Sequence, residues 1–224
     1  MSSFILKIIA VVTMFTDHVG YVIFGKFSYF NYIGRLAFPI FAFQISEGYL
    51  HTKNIKKYYI RLIIFALISQ VPYMLFLSYF TSSLTLNVFF TLLFGLTAIL
   101  IYDKLNNKFL GIILAICLAI VSQVIKCEYG FFGVSIIFLF YIFKNNRIFM
   151  NISYILAVFI YYLPRLIKTN FYYPNLILYT CTTSAILLIN LYNGKKGKDT
   201  KYLLYLFYPL HLSILFVVHY FFNK

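Results

Sequence analysis

The chain has 224 residues, of which 62% are hydrophobic, 22% aromatic and 11% charged, whereas a soluble globular domain is usually nearer half apolar and a quarter charged. Too little polar surface remains to cover a water-facing body, which excludes an ordinary cytosolic enzyme, a disordered chain, a collagen-like repeat and a disulfide scaffold, and makes lipid the expected solvent. The formal charge of +14, from 19 Lys and Arg against 5 Asp and Glu, sits mostly in short gaps between apolar runs, where it orients helices and meets anionic headgroups rather than nucleic acid.

Only helices and closed barrels satisfy their backbone groups in hydrocarbon. The apolar runs are continuous and near helix-spanning length rather than alternating, so helices are expected. In chain order they cover about 4–25, 29–50, 58–80, 85–102, 109–125, 130–144, 148–165, 172–193 and 202–222. The expected fold is thus an all-α integral membrane bundle of about nine transmembrane helices (eight to ten), forming a single domain over 1–224. The first run resembles the apolar part of a signal peptide, but polar residues interrupt it and no small-residue cleavage site follows, so it is read as a helix. The gaps after runs two, four, six and eight, with Lys7 and Arg61, carry thirteen basic residues. Five lie on the opposite side, at Lys26, Lys126, Arg165, Lys168 and Lys224. The positive-inside rule then places the N-terminus in the cytosol. The excess of Lys over Arg and the abundance of Ile, Phe, Tyr and Asn suggest an AT-rich bacterial genome, so a multi-pass protein of the bacterial inner membrane is expected. Cys117, Cys127 and Cys181 are widely spread without a CxxC pair, and neither a disulfide framework nor a metal site follows from them.

Ionisable groups inside an apolar helix are expensive and usually face a bundle interior or a watery cavity. Asp17 and His18, in MFTDHVG, lie about 20 Å along run one at 1.5 Å per residue. Arg35 enters run two from the other side and reaches a similar depth, so the three can meet. His211, in FYPLHLSILF, lies near the middle of run nine with Tyr208 one turn before it. In one reading Asp17, His18 and Arg35 form an ion-pair network that locks two helices together. In the other, Asp17 orients His18, which acts as a general base. Asn87, Ser69 and Gln70 are candidates for interhelical hydrogen bonds, and Pro39, Pro72 and Pro209 for kinks. The segment GKKGKDT lacks the spacing of a phosphate loop. Its Lys195, Lys196 and Lys198, with Lys53, Lys56, Lys57 and Arg61, form two cytosolic basic clusters. Positive-inside charge explains them; they would also suit a polyanionic cytosolic ligand.

Six blocks carry a resemblance to a known family. They are TDH (16–18), GRLAFPIFAF (34–43), ALISQVPY (66–73), LNVFFTLLFGL (86–96), EYGFFGVSIIF (128–138) and FYPLHLSILF (207–216). In this order they resemble the TraX family, membrane proteins that include an F-pilin N-acetylase and are distantly similar to the wider transmembrane acyltransferases. The resemblance implies an N- or O-acetyltransferase that moves an acetyl group from cytosolic acetyl-CoA to an amine or hydroxyl of a peptide, glycan or lipid-linked acceptor. By the same resemblance His18 matches the candidate base, Asp17 its partner, Arg35 the arginine of the first helix pair, and Tyr208 and His211 the closing motif. Direct transfer and an acetyl-His intermediate both stay open. The competing class is a proton-coupled transporter that uses Asp17, His18 and Arg35 as a relay, and a purely structural polar core is a third.

Overall fold

The computed structural model of the chain is described over residues 1–24, 28–198 and 201–222, the side chains of 201–204 and 222 excepted. Ten helices follow one another: α1 (Ser3–Phe24), α2 (Tyr29–Gly34), α3 (Ala37–His51), α4 (Ile55–Leu77), α5 (Val88–Lys104), α6 (Lys108–Val124), α7 (Gly130–Ile142), α8 (Arg147–Lys168), α9 (Tyr173–Asn190) and α10 (Lys201–Phe222). No strand occurs among the described residues. Lys26, Lys224 and the side chain of Lys201, used above to orient the chain, lie outside them.

Eight of the nine expected runs are single helices. The second is two. It breaks after Gly34, where Arg35 and Leu36 bond back three residues to Tyr32 and Ile33, both at 3.2 Å. Pro39 is the reason that the next helix can start here. It occupies the first turn of α3, where its missing N–H would have had no partner. Pro72 and Pro209 do lie within helices, α4 and α10.

Three helices, α1, α4 and α8, are long and apolar enough to cross a membrane, and α6, α7 and the Tyr205–Phe221 stretch of α10 are shorter apolar helices. In α8 the side chains turned inward are Met150, Tyr154, Val158, Tyr162 and Leu166, one every four residues, while Ile148, Ile152, Leu156 and Ile160 face outward.

The helices sort into two compact units, each assembled from separated stretches of chain. The first comprises Met1–Phe41, Leu67–Leu84 and Tyr173–Lys224. Within it α1 packs on α2 and α10, and α2 touches α9. The first amides of α1 are capped by the loop after α9: Ser3 N–H donates to Lys195 O (2.8 Å) and Phe4 N–H to Lys196 O (3.0 Å). Gly197, at φ +72°, permits this approach, since a Cβ there would lie 2.7 Å from Ser2 Oγ and 2.8 Å from Phe4 Cβ.

The second unit comprises Ala42–Ala66 and Thr85–Tyr172. There α5, α6 and α7 pack on one another, and α8 packs on α7. Asn87 fulfils the interhelical role expected of it. Its Oδ1 caps α5 by accepting from Phe89 N–H (3.0 Å), and its Nδ2 donates to Ala66 O of α4 (2.8 Å). Ser69, in the first unit, is buried and its hydroxyl makes no hydrogen bond among the described residues, so it does not serve as such a link.

Candidate functional site

Asp17 and His18 are successive residues of α1, and a helix turns about 100° per residue, so their side chains leave on different faces. Asp17 faces α2. Its Oδ1 accepts from Arg35 Nη2 at 2.9 Å and from Asn31 Nδ2 at 3.0 Å. The same Asn31 amide donates to the backbone carbonyl of Asp17 (3.0 Å), and Arg35 Nε donates to Asn31 O (3.1 Å). Asn31 is fully buried, and its Oδ1 accepts from Ser28 N–H at 2.6 Å, which holds the start of α2. The close approach of the two helices needs Gly34, where a Cβ would collide with the Cβ and carboxyl of Asp17.

His18 faces α10 instead. Its Nδ1 lies 2.7 Å from Nε2 of His211, the two rings meet edge to edge with their planes 14° apart and centroids 5.0 Å apart, and His211 Nδ1 lies 2.8 Å from the carbonyl oxygen of Phe207 one turn earlier. His211 is buried and His18 half-buried. Aromatic rings enclose the pair. Phe207 stacks on His211 (4.8 Å), Phe15 meets it edge-on (6.1 Å), and Phe76 of α4 lies 5.2 Å from His18. Tyr208 is buried with its ring 5.6 Å from that of His211.

The first unit therefore brings all five candidate catalytic residues to α1, the α2–α3 junction and α10, where the expected Asp17–Arg35 pair forms and the expected Asp17–His18 pair does not. Asp17 does not orient His18; Arg35 and Asn31 hold it, and His211 is the partner of His18. Asn31 escaped the sequence reading. The available signal was an Asn inside the apolar stretch FNYIG, three residues after a Ser, the spacing of a reciprocal cap.

The basic residues proposed for a polyanion divide between the units. Lys53, Lys56, Lys57 and Arg61 belong to the second, with the three lysines exposed and the Arg61 guanidinium 5.8 Å from the Tyr58 ring centroid. Lys195, Lys196 and Lys198 belong to the first and are exposed. Among the described residues no group of three or more His, Cys, Asp or Glu side chains is placed to hold a metal ion.

A second polar cluster was not anticipated. At the end of α5, Asp103 accepts from two phenols, Tyr49 of α3 and Tyr141 of α7, each at 2.6 Å. Lys144 Nζ sits 4.0 Å over the Tyr141 ring, and Lys108 Nζ donates to Tyr102 O and Asp103 O (2.9 and 3.1 Å). Asp103 lies just beyond the apolar run 85–102. The hydrogen bonds from Tyr141 and then Tyr49 hold its carboxyl below the ordinary Asp range against the opposing effect of burial, and the positive charges of Lys144 and Lys108 add smaller contributions in the same direction as the phenols. The signal in the sequence was the scarcity of acids: Asp103 is one of 5 acidic residues.

Comparison with known proteins agrees with the blocks of sequence. The family model described as TraX protein matches residues 2–219. A curated relative, named probable fimbrial assembly protein FimC, serogroup H1, from Dichelobacter nodosus, is 29% identical over 231 residues, covering 96% of this chain and 94% of its own length. No solved structure matches the chain. With a family model matched over nearly its whole length, the chain belongs to the TraX family.

Proposed function

We propose that the protein is a multi-pass enzyme of the bacterial inner membrane that transfers an acetyl group from cytosolic acetyl-CoA to an amine or hydroxyl of a membrane-associated or exported acceptor. The observation that carries this reading is the hydrogen-bonded His18–His211 pair, set between apolar helices beside the Asp17–Arg35–Asn31 cluster. Polar groups are costly in such surroundings and persist where they act. The outward-facing isoleucines and leucine of α8 support a lipid environment, since water would penalise such a stripe. The relative's name, a probable fimbrial assembly protein, supports a pilin-like peptide N-terminus as the acceptor.

The donor supplies the acyl group as a thioester. Its phosphates suit either basic cluster taken by itself, the exposed amines of Lys53, Lys56 and Lys57 with Arg61 in the second unit, or those of Lys195, Lys196 and Lys198 in the first. His18 takes the proton of the acceptor amine or hydroxyl as the new C–N or C–O bond forms, and returns it to the departing thiolate as the C–S bond breaks. Arg35 and the Tyr208 hydroxyl are the donors for the developing oxyanion. Asp17 offsets the charge of Arg35 and holds it at this depth.

The test uses protein reconstituted in vesicles with radiolabelled acetyl-CoA and a peptide bearing a free N-terminal amine, beside an amine-blocked peptide that carries serine. Label transferred by the wild type and lost with His18→Ala supports the reading, and the two peptides separate N- from O-acetylation. Transfer by His18→Ala at the wild-type rate refutes the role of His18. Proton-coupled flux without an acyl donor, with no label transferred, replaces the enzyme with the transporter.

A further inference from the structure

We propose that His211 is a positioning residue that sets the tautomer of His18, leaving Nε2 of His18 as the basic nitrogen. The order of protons follows from the end of the chain of hydrogen bonds. The carbonyl of Phe207 can only accept, so the His211 nitrogen 2.8 Å away, Nδ1, carries a proton. A neutral imidazole has one N–H, so His211 Nε2 is a bare lone pair. That lone pair faces His18 Nδ1 at 2.7 Å and must be met by a donor. His18 therefore carries its proton on Nδ1, and its Nε2 is the lone pair that makes no hydrogen bond among the described residues.

The arrangement does for His18 what a carboxylate does in a hydrolase triad, without the carboxylate. Asp17, the acid nearest in sequence, has its Oδ1 taken by Arg35 and Asn31. Charge that develops on His18 is answered by the His211 lone pair, with the Phe207 carbonyl behind it. Geometry enforces the pairing. His211 is 3% exposed, its ring stacks on that of Phe207 at 16°, and it meets the His18 ring edge to edge with the planes 14° apart. The catalytic consequence rests on the acetyl-transfer reading; the tautomer does not.

The test reads the tautomer directly. Protein labelled with 15N-histidine, carrying His51→Gln and His219→Gln so that only the two residues report, is placed in nanodiscs at about pH 8, where an ordinary imidazole is neutral. Long-range 15N–1H correlation distinguishes protonated Nδ1 from protonated Nε2. The expected result is Nδ1–H on both residues, whereas a free histidine prefers Nε2–H. His211→Phe should return His18 to Nε2–H and lower acetyl transfer about 100-fold, while His211→Gln, whose amide oxygen accepts in place of the lone pair, should keep the His18 tautomer and stay within about tenfold of wild type. Nε2–H on His18 in the unsubstituted pair overturns the proposal, as does a His18 tautomer unmoved by His211→Phe. Absence of acetyl transfer by the wild type overturns the enzyme reading alone, and the spectrum still decides the tautomer.

Discussion

Asp17 and Arg35 offer the sharpest energetic test of the first unit. The pair is half-buried, with relative side-chain exposures of 14% and 23%, and its nitrogen and oxygen lie 2.9 Å apart. At an effective dielectric near 20, two unit charges at that distance attract by about 6 kcal/mol. Desolvation of both groups offsets most of this, and complete burial without a partner would cost about 3–5 kcal/mol. With partial exposure, and with Asn31 also lost as a partner of the charged carboxylate, Asp17→Asn is expected to destabilise the protein by about 2–3 kcal/mol. A double-mutant cycle of Asp17→Asn, Arg35→Gln and the two together, measured by reversible SDS unfolding in mixed micelles, should return a coupling energy of about 2 kcal/mol. A coupling below about 0.5 kcal/mol, the range of an exposed surface pair, would refute the argument that this cluster works as a low-dielectric lock between α1 and α2.

Two further predictions concern the second unit. Gly95 of α5 faces Ile137 of α7, and a Cβ there would lie 2.8 Å from Ile137 Cγ2 and 2.9 Å from its Cβ. The Cβ of Ile137 is fixed to the backbone and cannot rotate away, so Gly95→Ala should cost about 1–3 kcal/mol despite the roughly 1 kcal/mol by which helix propensity favours alanine; a stabilised Gly95→Ala protein in the same unfolding assay would contradict the packing. Tyr141→Phe removes one of the two phenols from Asp103 and should cost about 1–2 kcal/mol near neutral pH, the site being partly open to solvent. Because Asp103 is held below its unfolded pKa of about 3.9, its contribution is fully present above that value and fades as pH falls through the lower folded one. The stability gap between Tyr141→Phe and wild type should therefore narrow in strong acid, and a gap that widens there would be incompatible with an ionised Asp103.

Much of the molecule was legible in the sequence, and the misses have identifiable causes. Eight apolar runs became eight helices because length and apolar continuity are local properties of the chain. The second run split because Gly34 and Pro39 together let one helix end and another begin within a few residues, a detail that a window of average hydropathy smooths away. All five candidate catalytic residues fall in the first unit, since ionisable, histidine and tyrosine side chains within apolar runs stand out singly. Asn31 and the Tyr49–Asp103–Tyr141 cluster did not stand out. A neutral amide and two tyrosines are ordinary among 22 tyrosines and gain meaning only through the partners that folding brings to them.

By itself the sequence determined the helical class, the expectation of lipid as solvent and the set of polar residues that such a chain would not carry without cause, for each follows from composition and spacing along one strand of chain. The tertiary structure decided who meets whom. Asp17 and His18 are neighbours in sequence, yet a helix turns them apart, one toward Arg35 and Asn31 on α2 and its junction with α3, the other toward His211, 193 residues away on α10. A hydrogen bond needs direction as well as proximity, and direction is a property of packed helices rather than of adjacent letters.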